Sequence, residues 1–391
     1  MTLADPTGTR PSQHRPRGPA PAVRVLHVVG RLDRGGIETA SLDICRTVPP
    51  EQAHQTFVTL DGSEGSLAPA YRATGAAVLR CPVRPLALLP LRIWRCLRAT
   101  RPDVVVSHIS LFSAVVLAAA RVNRVPVRIA RIWSEGDGKP ASLRRRLLRG
   151  LCRAVLAHAA TDVLGVTAAA LDFAGSRPND RRYRVLYNGV DTARTDGWDR
   201  ADARRRWNLP DDVPVLGYLG RADPVKNRPF LVEVHRAARA RRPGTRLLVA
   251  GPLGTGDLTT AHPGVDRDPH VVLAGEVEEI GSVLHAADVL LLPSTREGLP
   301  GVVLEALAVG VPVVANDLRC LRELSTLVAG LTLVPLSAGP QVWARAALEQ
   351  AGMADAQRAE LARVLRDSPL TLHHVARQWC RLWRVDRVPT S

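Results

Sequence analysis

The sequence predicts two doubly wound α/β domains in tandem, facing one another across a cleft. Three observations carry that expectation. The chain has 391 residues, too many for one comfortable core. Short β-rich apolar runs alternate with helical stretches from Val23 onward. The alternation breaks once, over residues 189–212, and then restarts.

Residues 1–21, MTLADPTGTRPSQHRPRGPAP, lack an apolar central region, so they read as a disordered Pro/Arg tail and not as a secretory signal. The first strand is VRVLHVV (23–29), with a helical pattern from Ile37. Further strands fall at 55–60, 76–81, 103–108, 125–131, 161–166 and 183–188. Apolar runs without strict alternation, separated by helices, imply a parallel sheet covered on both faces. They define an N-terminal Rossmann-like domain over 22–188. Residues 189–212 are polar and read as the linker. Strands at 213–220, 245–251, 270–275, 287–293 and 311–316 then build a second Rossmann-like domain over 213–367. The end of the chain, 368–391, carries Leu372, Val375, Trp379 and Leu382 at helical spacing, a helix packed on one of the two domains.

The formal charge of +16 favours anionic partners: phosphorylated metabolites, nucleic acid or an anionic membrane face. Part of it is compositional drift, because arginine supplies the positive charge everywhere except at Lys139 and Lys226. An aromatic content of 4% leaves few stacking platforms for single-stranded nucleic acid, which is not expected as a partner. The six cysteines are scattered without a CxxC pair, so neither a zinc site nor a disulfide framework is expected, as befits a cytoplasmic protein. No apolar run reaches the roughly 20 residues that span a bilayer.

In doubly wound sheets ligands bind beyond the carboxyl ends of strands, and the candidate sites fall there. GRLDRGGIET (30–39) is a Gly-bearing strand-to-helix turn that could face a phosphate. It is neither a Walker A loop, since Ile37 stands where lysine is needed, nor GxGxxG; a plain tight turn fits as well. His108 ends the DVVVSH strand, where an imidazole could bond a sugar or simply the backbone. Arg131, Glu135 and Asp137 follow the next strand and could line the same cleft or be solvated surface.

The second domain is more informative. GRADPVKN brings Arg221 and Lys226 onto one strand-end loop, where a planar fork and a compact point charge could clamp a diphosphate. A lysine there fits a cramped site with no room for a guanidinium, the reading preferred over chance survival of two lysines in the compositional drift. In LLLPSTREGLPGVVLEALAVGVPVVAND (290–317), seven residues separate Glu297 from Glu305. A continuous helix would set them about 12 Å apart along its axis. Pro300 instead puts Glu297 in a loop and Glu305 within a helix starting near Gly301, both facing one cleft. Gly298 and Gly301 lend the backbone freedom, and the first helical amides could bind anionic oxygen. Carboxylates accept from sugar hydroxyls. A general acid/base pair for glycoside hydrolysis is the competing use.

GRxxxxK followed by PSxxEGxPxxxxEAxAxGxPVV resembles the retaining glycosyltransferases of family 4, of GT-B architecture, over roughly residues 23–385. The resemblance implies that Glu297 faces the donor sugar and Glu305 the ribose, while Arg221 and Lys226 hold the diphosphate. Gly35 and Gly36 match the Gly-rich first loop, and His108 an active-site histidine near the donor sugar. His108, Arg221, Lys226 and Glu297 are thus the implied catalytic residues. Gly298, Leu299, Pro300 and Gly301 complete the implied donor site. YNGVD (187–191) resembles the family's entry into the second domain, and Glu323 a glutamate beyond its last strand. The C-terminal helix is implied to cross back to the N-terminal domain. KNRP stands where KG is frequent, which leaves the start of the next helix open.

The implied reaction is retaining, front-face transfer from a nucleoside diphosphate sugar, with UDP the expected carrier and no metal or other cofactor. The expected acceptor is a cell-envelope glycan or glycolipid, a lipid-linked glycan or a small secondary metabolite. A sugar-nucleotide epimerase of the same fold is the nearest rival. A nucleic-acid or membrane-binding protein is the other, resting on the basic amphipathic run SLRRRLLRGLCRAVLAHAA (142–160). The expectation for that run is a covering helix with a solvated arginine face. Peripheral contact with the inner face of the membrane is compatible with transfer.

Overall fold

The computed structural model describes residues 22–136, 142–177 and 179–385. The expected tail over 1–21, together with Asp137 and Lys139, lies outside them.

Seven parallel strands form the N-terminal sheet: β1 (Val23–Val29), β2 (Ala53–Thr59), β3 (Ala77–Arg80), β4 (Val104–Ser107), β5 (Val127–Ile132), β6 (Asp162–Gly165) and β7 (Tyr183–Val185). Their spatial order is β3-β2-β1-β4-β5-β6-β7. The second sheet holds β8 (Val215–Leu219), β9 (Arg246–Ala250), β10 (Val271–Gly275), β11 (Val289–Leu292), β12 (Val313–Ala315) and β13 (Leu331–Leu333), in the order β10-β9-β8-β11-β12-β13. All pairings are parallel. Val104, Val105 and Val106 of β4, like every residue of β11, are buried on both faces. Helices on each side of a parallel sheet demand such runs. The strand β13 was missed: it is only three half-buried residues, LTL, and its place in the sheet is set by pairing with β12.

The segment 189–212 is not an extended linker. It holds a 3-10 turn, Thr192–Thr195, and a helix, Arg200–Arg206, started by Asp199, whose side chain accepts from the Asp202 amide. Fully buried Arg204 binds this helix to the second domain. Its guanidinium donates to Asp288 at 2.7 Å and to the carbonyls of Pro210 and Asp211. Arg200 reaches the other Asp288 oxygen at 2.5 Å.

The chain crosses between domains twice, and the two crossings pair: Val190 donates to Leu370 and accepts from Leu372. Thr371 then caps the helix Leu372–Trp383, which returns to the N-terminal sheet. Val375, Trp379, Cys380 and Trp383 enter a core with Val25, Val104 and Ile129. The expected stripe named Leu382; the buried position is Trp383, one residue on, with Leu372 and Leu382 at the margin.

The helix Leu143–Ala159 departs from its expectation. Of its residues only Leu156 and Ala159 are buried, and Leu143, Leu147, Leu148 and Leu151 are exposed.

Candidate active site

Strand order reverses between β1 and β4 in one sheet and between β8 and β11 in the other. Crevices open beyond the carboxyl ends at such points. The loops after these four strands carry Gly35, His108, Arg221 with Lys226, and Glu297.

The turn after β8 is built by its own side chains. Asp223 accepts from the Val225 amide at 3.0 Å, opening a 3-10 turn over Pro224–Lys226. Asn227 closes it at φ 50°, a left-handed conformation that asparagine tolerates better than most residues. Asparagine therefore stands in for the frequent glycine, and the next helix starts at Pro229. The Thr295 amide donates to the Val225 carbonyl at 2.8 Å, tying this turn to the loop after β11. Lys226 Nζ consequently donates to Glu297 Oε1 at 2.7 Å. Arg221 pairs with Asp223 at 3.2 Å and reaches across to the first loop, its Nη1 3.9 Å from where a Gly35 Cβ would be.

Glu305 lies in the helix Gly301–Ala308, entered through Pro300 in extended backbone; Leu299 is packed in the core. Glu305 accepts from Arg194 Nη1 at 3.1 Å, and the same guanidinium lies 3.7 Å from Asp43 of the N-terminal helix Gly36–Thr47. One cation from the crossing segment thus sits between carboxylates of both domains. Burial raises the Asp43 carboxyl to about 6 and pushes Glu305 upward as well. Sequence reasoning missed Arg194 and Asp43. The YNGVD run pointed to the segment, but nothing local marks the arginine three residues beyond it.

Neither Gly298 nor Gly301 uses left-handed freedom. Gly298 gives clearance: a Cβ there would overlap the Trp133 carbonyl oxygen of the opposite domain. Gly36 opens its helix in free space, whereas a Gly35 Cβ would meet Glu38 Oε2 at 2.6 Å. Glu38 was also missed. Burial lifts its carboxyl to about 7, against the opposing pull of Arg221.

His108 lies one layer below the open cleft. It is buried, with Nε2 3.0 Å from His27 Nδ1 and its ring stacked on Trp133. Burial drives His27 down to about 3 and His108 well below the usual range, so both rings are neutral at pH 7. Arg131 joins them around a small cavity that also touches Asn188, Trp379 and Trp383. Its guanidinium is buried with no carboxylate partner among the described residues, donates to Asn188 Oδ1 at 2.9 Å and lies over Trp133 and Trp379; burial lowers it to about 9.

Glu323 is an interdomain latch. It accepts from the Ala168 amide at 2.8 Å, capping the helix Ala168–Ala174 across the interface, and from the Tyr187 hydroxyl at 3.0 Å. Arg319–Asp172 and Arg34–Glu276 add further contacts between domains. Among the described residues no three His, Cys, Asp or Glu side chains group as a metal site.

Two Rossmann-like domains joined by a double crossing, with a cationic turn and paired carboxylates at their facing switch points, define a glycosyltransferase of GT-B architecture. Two family models match the chain: a glycosyl transferase 4-like domain over 35–189 and glycosyl transferases group 1 over 213–351. Together they take in about three quarters of the sequence, and the protein belongs to the family-4 type glycosyltransferases.

Similar proteins include EpsF of Bacillus subtilis (strain 168), 26% identical over 82% of this chain and 86% of its own length. The capsular polysaccharide biosynthesis glycosyltransferase CapH of Staphylococcus aureus is 23% identical over 73% and 78%. D-inositol 3-phosphate glycosyltransferase of Actinosynnema mirum is 36% identical over only 34% of each chain. Among solved structures, Anabaena HepE in complex with UDP superposes with a TM-score of 0.75 at 17% identity, covering 92% of this chain and 98% of that one. WaaG, involved in lipopolysaccharide biosynthesis, gives 0.61 at 16% identity, covering 88% and 94%.

Proposed function

We propose that the protein moves a hexosyl group from a UDP-sugar to a hydroxyl of a cell-envelope polysaccharide or glycolipid, with retention at the anomeric carbon. The observation that carries this reading is the Lys226–Glu297 pair at 2.7 Å, in the crevice that Arg221 enters from the same turn. A diphosphate seated there meets two cations. As the bond from the anomeric carbon to the diphosphate oxygen breaks, charge gathers on the β-phosphate, and Arg221 and Lys226 stabilise it. The acceptor oxygen bonds to the anomeric carbon on the face the phosphate leaves. Its proton passes to the departing phosphate oxygen.

An incoming phosphate competes with Glu297 for Lys226, which frees the carboxylate to accept from donor-sugar hydroxyls. Glu305 serves the ribose likewise, in competition with Arg194. Two side-chain cations supply the charge at the leaving group, so this reading calls for no metal. The capsular role of CapH supports a polysaccharide acceptor, and the UDP and UDP-glucose complexes of HepE support a uridine carrier. Family membership favours transfer over epimerisation.

A thermal-shift screen of UDP-, GDP-, dTDP- and ADP-sugars tests the donor, because a ligand bound only by the folded state raises Tm by mass action. A UDP-sugar should stabilise most, and proton NMR of the product should show the donor's anomeric configuration. Stabilisation by none of them, or an inverted product, overturns the reading.

A further inference from the structure

The helix Leu143–Ala159 reads LRRRLLRGLCRAVLAHA, with five arginines and no acidic residue. Leu156 and Ala159 anchor its end at 0% and 2% exposure, while Leu143, Leu147, Leu148 and Leu151 are 74%, 67%, 56% and 63% exposed. A single exposed leucine needs no explanation, but a cluster does. At 100° per residue these four span an arc of roughly 140°, turned roughly a third of a revolution from the buried side.

The position of the stripe matters as much as its composition. The helix follows β5, so its first turns rise from the carboxyl end of the sheet, at the rim of the cleft. Two neighbouring helices, Leu89–Thr100 and Ser113–Val122, start at the same end. Each carries exposed apolar side chains at its entry: Leu86, Leu88 and Leu91 at the first, Phe112 at the second. Among the described residues twelve large hydrophobic side chains are exposed, and eight lie along this one rim.

We propose that this rim docks on an anionic lipid surface, the leucine stripe entering the headgroup boundary and the flanking arginines meeting lipid phosphates. Apolar side chains interleaved with arginine on a helix lacking acidic residues match an anionic bilayer. They do not match a second copy of the chain, whose identical helix would set the exposed Arg144 and Arg146 against like charges. Nucleic acid would satisfy the arginines and leave the leucines in water. Docking would face the cleft toward the membrane, a geometry suited to an acceptor hydroxyl on a lipid-linked glycan. That consequence rests on the proposed function; the membrane contact does not.

The test is co-sedimentation of the full-length protein with vesicles of phosphatidylcholine, alone or with phosphatidylglycerol. The mixed vesicles should bind it, and added salt should weaken binding. Leu147→Gln with Leu151→Gln should cut binding about tenfold or more, from lost apolar insertion. Arg144→Gln and Arg146→Gln should each cut it roughly fivefold. All variants should keep the parent Tm and any nucleotide-sugar shift, which separates docking from folding and from donor binding. The proposal is overturned if the parent ignores phosphatidylglycerol vesicles, or if the leucine variants bind as well as the parent. It is equally overturned if light scattering shows a stable dimer that the leucine substitutions dissolve, or if nucleic acid binds this face and vesicles do not.

Discussion

Arg194 and Glu305 meet at 3.1 Å although 111 positions separate them, and the same guanidinium faces Asp43 on the opposite domain. The contact couples the crossing segment to the helix expected to hold the ribose. Arg194→Ala removes the cation between two buried carboxylates, leaving Glu305 unpaired and Asp43 with only the exposed Arg46 at 3.8 Å. Loss of such a partner costs about 1–3 kcal/mol. Both carboxyls are already raised by burial, so they can shed the cost by binding protons. The destabilisation measured by urea unfolding should therefore be large at pH 8 and shrink toward pH 5. An equal loss at both pH values would show that the carboxylates do not interact through Arg194.

Substitutions can separate the ion pair that Lys226 makes with Glu297 from the leaving-group role proposed for it. Lys226→Met removes the partner of Glu297, which is 9% exposed, and should cost about 1–3 kcal/mol of stability. It should also lower kcat by about 10²–10³, the usual cost of losing one leaving-group stabiliser. Adding Glu297→Gln should restore most of the stability and none of the turnover. Recovery of both together would reduce Lys226 to a structural role.

Glu38 gives a signed pH prediction. Its folded-state carboxyl, at about 7, lies above its ordinary value of 4.5. The folded state then holds the proton more tightly, and the contribution of Glu38 to stability declines as pH rises between those two values. Glu38→Gln carries no such penalty. The Tm of the variant relative to the parent should climb from pH 4.5 to pH 7 and level off above; a flat difference across that window would refute the burial argument.

Arg204 tests where the second domain begins. It is 0% exposed and serves Asp288 and carbonyls that follow its helix. Arg204→Ala strands a buried carboxylate, for which about 3–5 kcal/mol is expected. Arg200 offers Asp288 partial compensation, so Arg204→Ala with Arg200→Ala should cost more than the sum of the single changes. Additive losses would mean that Arg200 does not share the site.

The YNGVD run illustrates how far local patterns reach. Its resemblance to a family element marked the approach to the second domain, and the polar composition of 189–212 is a local property that marked the join. The arginine that sits between Asp43 and Glu305 lies three residues after YNGVD and looks like any other in an arginine-rich chain. His108 shows the same limit. Its place at the end of β4 was legible, but its burial against His27 depends on strands meeting 81 residues apart. Glu38, Asp43 and the strand β13 escaped for the same reason: each derives its character from neighbours that lie elsewhere in the sequence.

The sequence by itself determined two parallel sheets, the four strand-end loops that hold the candidate site residues, and the turn that carries both Arg221 and Lys226. These follow from apolar periodicity and turn-forming residues, which act over a few positions. Tertiary structure alone decided that Lys226 meets Glu297, that Arg194 spans two domains, and that Leu143, Leu147, Leu148 and Leu151 face outward. The direction of a helix face, and the partner of a charge, are fixed by packing among distant segments, and no local pattern encodes them.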